Sequence, residues 1–206
     1  MSEACFLAER SVSRETLARL AAFAALLEKW NPAINLISAG TVAQIWTRHF
    51  LDSAQVFDLA DAKSGLWADL GSGGGFPGLV AAILALEERP GLSFTLVESD
   101  RRKAAFLSTA ARELGLPVRV MAERIEALPP LGADILTARA LAPLPVLLGY
   151  AERHLQPGGR ALFPKGARHE EEIRQALESW RFSYEKHSSR TDPEAVILTV
   201  GEPSRV

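Results

Sequence analysis

The N-terminal part of the chain has a helical spacing of apolar residues. Between residues 14 and 30 they recur every three or four positions, which predicts an amphipathic helix. Ser13 can cap this helix, and the Asn31-Pro32 pair is expected to end it because proline disrupts a helix interior. A second helical pattern covers residues 42–58. We therefore predict an N-terminal helical extension over residues 1–60.

From residue 61 onwards, short apolar runs alternate with helical patterns. The runs predict strands at 66–70, 94–98, 117–121, 133–138 and 159–163, and the patterns between them predict helices at 77–88, 100–114, 143–154 and 168–180. This alternation is typical of a mostly parallel sheet with helices on both faces. Two last runs, 182–187 and 195–200, are predicted to form an antiparallel strand pair. The prediction is an α/β domain over residues 61–206 that packs with the extension as one compact unit.

The composition excludes several classes of protein. The 206 residues are 48% hydrophobic and 23% charged, which is incompatible with wholesale disorder. A single cysteine excludes an internal disulfide framework and a cysteine-based zinc site, and no metal site is predicted. A net charge of −2 argues against a non-specific nucleic-acid coat, although it permits a local basic patch. Since no signal peptide or transmembrane run is found, we expect a soluble cytoplasmic protein without a membrane partner.

A cluster of glycines follows the first predicted strand. Four of the five positions from 71 to 75 are glycine, and such residues permit positive φ angles and let a ligand approach the backbone. Ligands of parallel α/β sheets bind beyond the carboxyl ends of the strands. Glu98 ends the second predicted strand, where an acid can bind the ribose of a nucleotide. These features predict a cofactor loop rather than a simple tight turn.

The glycine pattern alone does not identify the cofactor. A register that begins at Gly73 matches the dinucleotide fingerprint, with Glu98 at the ribose-binding spacing. A register that begins at Asp69 matches the loop of S-adenosylmethionine-dependent methyltransferases. A dinucleotide brings an anionic pyrophosphate to the helix N-terminus, whereas S-adenosylmethionine carries a cationic sulfonium that tolerates an acid such as Asp69. Both cofactors remain possible at this point.

Charged residues also flank the predicted crevice. Arg139 follows the fourth predicted strand and Lys165 follows the fifth, so both cations are expected to face one crevice. Arg48 and Asp52 lie within about one turn of each other on the second predicted helix. His49 and Asp52 could form an acid–base pair, but we favour a structural or RNA-positioning role for this histidine.

A combination of motifs spans nearly the whole chain. Its members are Trp30-Asn31 with Asn35-Leu36, Arg48-His49-x-x-Asp52-Ser53, the loop from Asp69 to Gly78, Arg102-Lys103-x-x-Phe106-Leu107, Arg139-Ala140 and Lys165-Gly166. With these motifs the chain resembles the small-subunit ribosomal RNA guanine-N7 methyltransferases, also called the glucose-inhibited division protein B family. It departs from the family at Ile37, where threonine is usual, and at Pro164, where an apolar residue usually precedes Lys-Gly.

The resemblance implies a fold, an activity and a set of site residues. The fold is the Rossmann-like class I fold of S-adenosylmethionine-dependent methyltransferases, and the activity is methyl transfer from that cofactor to N7 of a guanine in 16S ribosomal RNA. The implied cofactor contacts are Gly71, Gly73, Gly75, Phe76, Glu98, Ser99, Ile125, Glu126 and Arg139. Arg139 and Lys165 are the implied catalytic residues, and Arg48, His49 and Lys165 the implied RNA contacts. The expected partner is 16S ribosomal RNA within a small-subunit particle, with no obligate protein partner.

Guanine N7 carries an in-plane lone pair and no proton, so its methylation requires positioning rather than a general base. We hypothesise that Arg48, Arg139 and Lys165 form an RNA-facing rim over a cofactor cleft that contains Asp69 and Glu98. Three alternatives remain. They are an NAD-type oxidoreductase, a methyltransferase that acts on a small molecule or a protein, and a non-catalytic RNA-binding assembly factor with a methyltransferase fold.

Overall fold

The computed structural model of the chain describes residues 3–206. The strands are β1 (Ser64–Leu70), β2 (Gly91–Val97), β3 (Val118–Met121), β4 (Ala133–Thr137), β5 (Leu155–Lys165), β6 (Trp180–Ser188) and β7 (Val196–Arg205). The α-helices are α1 (Glu3–Glu9), α2 (Arg14–Ile34), α3 (Asp52–Leu59), α4 (Gly78–Glu88), α5 (Arg101–Glu113), α6 (Leu144–His154) and α7 (His169–Leu177). None of the helices in the described range is long and apolar enough to span a membrane.

One seven-stranded sheet organises these elements, in the order β3-β2-β1-β4-β5-β7-β6. The first five strands of the chain pair in parallel, while β7 lies antiparallel to both β5 and β6. The predicted α/β class, the mostly parallel sheet and the C-terminal antiparallel pair are therefore confirmed. Because the strand order reverses between β1 and β4, the loops after these two strands diverge and leave a crevice at their carboxyl ends.

The N-terminal helices differ from the prediction in two places. Helix α2 does not stop at Asn31-Pro32 but continues to Ile34. It ends at Asn35, which has a left-handed conformation and donates its backbone N–H to the Asn31 carbonyl, so Pro32 lies within the last turn. The predicted helix over residues 42–58 is instead a 3₁₀ helix (Ala39–Gln44), a π-helix (Ile45–Leu51) and α3 in succession. Periodicity alone could not anticipate the change of helix type.

The region around β5 also differs from the prediction. Lys165 is the last residue of β5 rather than the first after it, because the strand continues to pair with β7 as far as the Lys165–Val196 register. Helix α7 ends at Leu177, and Trp180 begins β6 instead of ending the helix. The strand is longer because its neighbour β7, from a distant part of the chain, supplies the additional pairing.

The N-terminal helices and one face of the sheet share a single hydrophobic cluster. Phe23 on α2 is fully buried and lies 5.5 Å, between ring centroids, from both Phe50 and Phe76. It also stacks on Phe106 of α5 at 6.5 Å. A second cluster fills the opposite face beneath α6 and α7. The packing of Phe23 thus joins the extension to the loop after β1 and to the sheet domain.

Candidate active site

Two cavities lie at the carboxyl ends of the strands. The small cavity, of about 410 Å³, is lined by the glycine loop after β1, the residues after β2 and the segment 123–126 after β3. The large cavity, of about 780 Å³, is lined by the π-helix, the loop after β4, the end of β5 and one side of α7. Arg139, Ala140 and Leu141 line both cavities. A ligand in one cavity can therefore meet a ligand in the other across this shared strip.

The predicted site residues divide between these cavities. Those that line the small cavity are Gly71, Gly73, Glu98, Ser99, Ile125, Glu126 and Arg139. Those that line the large cavity are Arg48, His49, Arg139 and Lys165. Gly75 and Phe76 line neither, because they lie beneath the glycine loop: a Cβ on Gly75 would lie 2.6 Å from a Leu79 methyl group, and Phe76 is buried against Phe23.

The glycine loop is shaped by backbone hydrogen bonds and positive φ angles. The N–H groups of Gly71 and Ser72 both donate to the Val97 carbonyl of β2, at 2.8 and 3.1 Å. Gly71 and Gly73 have φ angles of 65° and 53°, which other residues adopt only with strain. A Cβ on Gly71 would lie 2.6 Å from Leu141, whereas a Cβ on Gly73 would have no neighbour closer than 3.8 Å. Gly73 therefore leaves open space in the small cavity.

Glu98 connects the glycine loop to the N-terminus of α5. Its Oε2 accepts the Gly73 backbone N–H at 2.9 Å, and its Oε1 accepts the Asp100 backbone N–H at 2.8 Å. The side chain is 9% exposed and borders the small cavity. Since each carboxylate oxygen has lone pairs for a further donor, Glu98 can accept hydrogen bonds from two adjacent hydroxyl groups such as those of a ribose.

The opposite wall of the small cavity combines an apolar and a polar part. Ile125 begins a short 3₁₀ helix after β3, is 8% exposed and lines the small cavity, where it offers an apolar contact to a ring system. Tyr150 on α6 donates its hydroxyl to Glu126 Oε1 at 2.6 Å. This bond lowers the pKa of Glu126 and raises the pKa of Tyr150. The wall thus carries a fixed carboxylate beside an apolar surface.

Asp69 lies below this cavity rather than on its wall. Its carboxylate is fully buried and accepts hydrogen bonds from the Thr137 hydroxyl at 2.7 Å and from the Gly78 backbone N–H at 3.2 Å. Thr137 in turn accepts the indole N–H of Trp67 at 2.9 Å. The hypothesis that Asp69 borders the cofactor cleft is wrong, because this network binds both of its oxygens and fixes β1 to β4 and α4.

Burial should make Asp69 a source of pH-dependent stability. Loss of hydration raises the pKa of Asp69 to about 6, although the bonds from Thr137, Ser72 and Gly78 oppose this effect. The folded chain therefore holds the proton more tightly than the unfolded chain does, and the contribution of Asp69 to stability falls as the pH rises from about 4 through about 6. The free energy of unfolding of the wild type, minus that of Asp69→Asn, should fall by about 2 to 3 kcal/mol across this range in urea titrations.

Asp100 offers a control of opposite sign. Its exposed carboxylate accepts the backbone N–H groups of Lys103 and Arg102 at the start of α5, which lowers its pKa. The wild type minus Asp100→Asn difference should therefore rise, not fall, with increasing pH. Parallel stability curves for the wild type and Asp69→Asn would show that Asp69 titrates normally.

Arg139 in the shared strip is held by groups from the N-terminal helices. Its guanidinium donates to Asp52 Oδ2 and to His49 Nδ1, both at 3.0 Å, and to the Arg48 carbonyl at 3.3 Å. It also lies 4.9 Å from the centroid of the Phe76 ring, a cation–π distance. Three acceptors and one aromatic face fix the planar fork, so Arg139 is orientated before any ligand binds.

His49 is a hydrogen-bond acceptor for Arg139, not a proton donor to a substrate. Burial lowers the pKa of His49 to about 3, with Arg139 and Arg48 as further causes, so the ring is neutral near pH 7. Since arginine only donates, Nδ1 must accept, and Nε2 must carry the proton that it shares with Thr41 Oγ1 at 2.9 Å. The geometry agrees with a structural role for this histidine.

Lys165 is engaged within the large cavity. Its ammonium donates to Glu172 Oε2 at 2.6 Å and to the Ala142 carbonyl at 2.9 Å, and its side chain is only 7% exposed. Arg48 and Arg168 line the same cavity and are exposed, and neither forms an ion pair with any residue of the described range. These two arginines therefore provide the solvent-exposed positive charge at the rim of the cavity.

Several residues that line the cavities were missed by the sequence reasoning, and four of them bear on the chemistry of the site. They are Leu141, Tyr150, Arg168 and Glu172. Arg168 could have been found, because it lies three residues after Lys165 at the same strand end. The chain gives no comparable signal for Tyr150 or Glu172, which lie within helices and reach the cavities only through packing.

Comparisons with known proteins identify first the class and then the family. A solved S-adenosylmethionine-dependent methyltransferase from Aquifex aeolicus superposes with a TM-score of 0.56 at 15% identity, and covers 72% of this chain and 88% of its own. The PH0226 protein of Pyrococcus horikoshii superposes with a TM-score of 0.58 at 13% identity, over 86% of this chain and 98% of its own. These likenesses show that the chain has a Rossmann-like fold, which it shares with a solved S-adenosylmethionine-dependent methyltransferase.

The sequence comparisons are more specific. The family model GidB, described as rRNA small subunit methyltransferase G, matches residues 16–196. A protein of Ruegeria pomeroyi named ribosomal RNA small subunit methyltransferase G is 57% identical over 95% of this chain and 96% of its own length. The chain belongs to this family of methyltransferases.

Proposed function

We propose that the protein transfers a methyl group from S-adenosylmethionine to N7 of a guanine in 16S ribosomal RNA. The observation that carries the proposal is the strip of Arg139, Ala140 and Leu141, where a small cavity suited to the cofactor opens onto a large cavity with a basic rim. Methyl transfer requires that the methyl group and the acceptor atom come into contact. The cofactor and the RNA must nevertheless each have a binding site of their own. The family name and the printed names of the relatives support the same reaction.

The small cavity fits S-adenosylmethionine by its shape and its hydrogen-bond acceptors. When bound, the cofactor supplies an electrophilic methyl group. Gly71 and Gly73 let it approach the backbone, and the two oxygens of Glu98 accept its ribose hydroxyl groups. Ile125 packs against its adenine, and Ser99 and Glu126 border the same end. Gly75 and Phe76 shape the loop from beneath instead of contacting the cofactor.

A methyl group on Gly73 should block the cofactor while the fold persists. The new Cβ of Gly73→Ala would enter the open space of the small cavity, so we expect S-adenosylmethionine binding to weaken about 10- to 100-fold. The φ angle of 53° adds strain of about 1 to 2 kcal/mol, which lowers stability without unfolding the chain. Titration calorimetry with S-adenosylmethionine measures the first effect and thermal unfolding the second.

Gly115 provides the matched control. It has a φ angle of 66°, and a Cβ there would have no neighbour within 4 Å. Gly115→Ala should therefore lose about as much stability as Gly73→Ala, yet bind the cofactor with wild-type affinity. Equal binding by both variants would remove Gly73 from the cofactor site.

The large cavity supports an RNA substrate. The exposed guanidinium groups of Arg48 and Arg168 are suited to phosphate groups at its rim. His49 and Asp52 hold Arg139 in one orientation. In this orientation Arg139 faces the purine and the cofactor carboxylate. No general base is required, since N7 has no proton to lose. The rate enhancement comes from holding N7 in line with the methyl group and from excluding water.

We further propose that the substrate is presented in a small-subunit particle. The net charge of −2 gives little general attraction for naked RNA, so recognition depends on local cations and on the shape of the particle. A ribosomal RNA substrate also implies a cytoplasmic protein.

The decisive experiment compares 16S RNA made with and without this protein. Mass spectrometry of nuclease digests should reveal one 7-methylguanosine that is lost when the gene is deleted, and purified protein with S-adenosylmethionine should restore it on the deficient subunits. Identical RNA in both strains would contradict the proposal, and binding of NAD instead of S-adenosylmethionine would favour the oxidoreductase. A change in subunit assembly without a change in methylation would favour the non-catalytic assembly factor.

A further inference from the structure

Lys165 and Glu172 form an ion pair inside the large cavity. The protein occupies only part of the hydrogen-bonding capacity of this pair. Glu172 Oε2 accepts two donors, the ammonium of Lys165 at 2.6 Å and the Leu144 backbone N–H at 2.8 Å. No donor from residues 3–206 reaches its second oxygen, Oε1. The Lys165 ammonium uses two of its three N–H groups, on Glu172 and on the Ala142 carbonyl. One free acceptor thus lies beside one free donor.

This combination is complementary to one edge of guanine. The Watson–Crick edge of guanine presents the O6 acceptor next to the N1–H and N2–H₂ donors, and a cation that binds O6 with an acid that binds the adjacent N–H groups satisfies all of them. We propose that Glu172, together with Lys165, hydrogen-bonds to this edge of the target base. Glu172 is then the specificity-determining residue of the reaction. The inference rests on the proposed function and adds the means of base recognition to it.

The position of the pair agrees with the direction of methyl transfer. Lys165 and Glu172 line the large cavity but not the strip that it shares with the small cavity. N7 and the Watson–Crick edge lie on different sides of a purine. A guanine whose edge contacts the ion pair can therefore direct N7 toward the strip of Arg139, Ala140 and Leu141, where the methyl group arrives.

The same pair excludes adenine. Adenine places an amino donor where guanine has O6 and a lone pair where guanine has N1–H, so it would bring donor against the Lys165 ammonium and acceptor against the Glu172 carboxylate. A site whose charged groups are left unpaired or opposed rejects the wrong base more strongly than one that merely loses a contact. Substrate choice would thus depend on groups that the transfer step itself does not need.

Glu172→Gln isolates the contribution of Glu172. The amide oxygen has to occupy the Oε2 position, where Lys165 and the Leu144 N–H both donate, which leaves the amide NH₂ at the Oε1 position. That NH₂ would face the N–H donors of guanine. The substitution keeps the size of the side chain and its bonds to the protein while it reverses the hydrogen-bonding character toward the base.

The test crosses this variant with a change in the RNA. Small subunits are reconstituted with 16S RNA that carries either guanosine or inosine at the mapped position, since inosine lacks only the N2 amino group. The wild type should show a kcat/KM about tenfold lower on inosine. In Glu172→Gln the kcat/KM on guanosine should fall about 10- to 100-fold, and the preference for guanosine over inosine should disappear.

Glu170→Gln on the same helix is the control. Glu170 pairs with Lys186 at 2.5 Å and does not line the large cavity, so this variant should retain the tenfold preference. If Glu172 only supports the fold, Glu172→Gln will slow both substrates equally and keep the preference, which overturns the inference. Equal wild-type rates on guanosine and inosine overturn it as well, whether or not the variant folds. Absence of methylation by the wild type on guanosine RNA would instead refute the proposed function itself.

Discussion

Arg139→Ala should reduce methylation of the small subunit by about 10²- to 10³-fold, as measured by kcat/KM with radiolabelled S-adenosylmethionine. Arg139 is the one charged residue that lines both cavities among those the structure describes, and its planar group is fixed by Asp52, His49 and the Arg48 carbonyl. Truncation removes an orientated cation from the strip where the two cavities meet. The expected loss is therefore in the rate of transfer and not in the fold.

The fold should survive because Asp52 keeps other partners. Its Oδ1 accepts from Gln55 at 2.9 Å and from Thr191 at 3.1 Å, so the carboxylate stays bound after Arg139 is removed. Arg139→Lys should fail to restore activity, since an ammonium cannot bind three acceptors in one plane. Arg10→Ala is the matched control: this arginine pairs with Asp58 and Glu88, none of these three residues lines either cavity, and the loss of Arg10 should lower stability but not activity. Full activity of Arg139→Ala would exclude Arg139 from the site.

Phe23→Ala should lower the free energy of unfolding by about 3 to 5 kcal/mol and leave a single cooperative transition. Phe23 is fully buried and packs against Phe50, Phe76 and Phe106, which belong to the π-helix, the glycine loop and α5. A cavity at this point removes all three ring contacts together and so weakens the packing between the helical extension and the sheet domain. Urea unfolding followed by circular dichroism and by tryptophan fluorescence measures both the loss and its cooperativity.

Phe182→Ala is the control for this prediction. Phe182 lies on β6 and is only partly buried, with Tyr184 as its aromatic neighbour at 5.4 Å. Its truncation should lower stability by about 1 kcal/mol or less. If the two probes report separate transitions in Phe23→Ala, the extension over residues 1–60 unfolds by itself, and the prediction of one compact unit is wrong.

Much of the fold was predictable because it depends on spacing along the chain. Short apolar runs bounded by helical patterns identified every strand of the sheet, and the closeness of the last two runs along the chain identified the antiparallel pair. The sequence could not specify the end of α2, since Pro32 is tolerated in a last turn that Asn35 closes. It could not specify the π-helix either, because periodicity alone does not distinguish helix types; in the structure this segment packs on α1 and α2 through Trp46 and Phe50.

The candidate site was predictable to the extent that strand ends define it. Gly71, Gly73, Glu98 and Arg139 follow strands in the chain, and all of them border the small cavity. Asp69 lies near the end of β1, but its side chain points into the buried network with Thr137. Whether a residue at a strand end faces a ligand or the core depends on which neighbours surround it.

The amino-acid sequence by itself determined the order of strands and helices, the position of the glycine loop and the cations near the crevice, since these follow from periodicity and from neighbours along the chain. Only the tertiary structure decided how those groups are used. His49 accepts a hydrogen bond from Arg139, which lies 90 residues later in the chain, and Glu172 on α7 pairs with the Lys165 ammonium. The physical reason is that burial and pairing set the charge and orientation of a side chain, and both arise only when distant segments pack together.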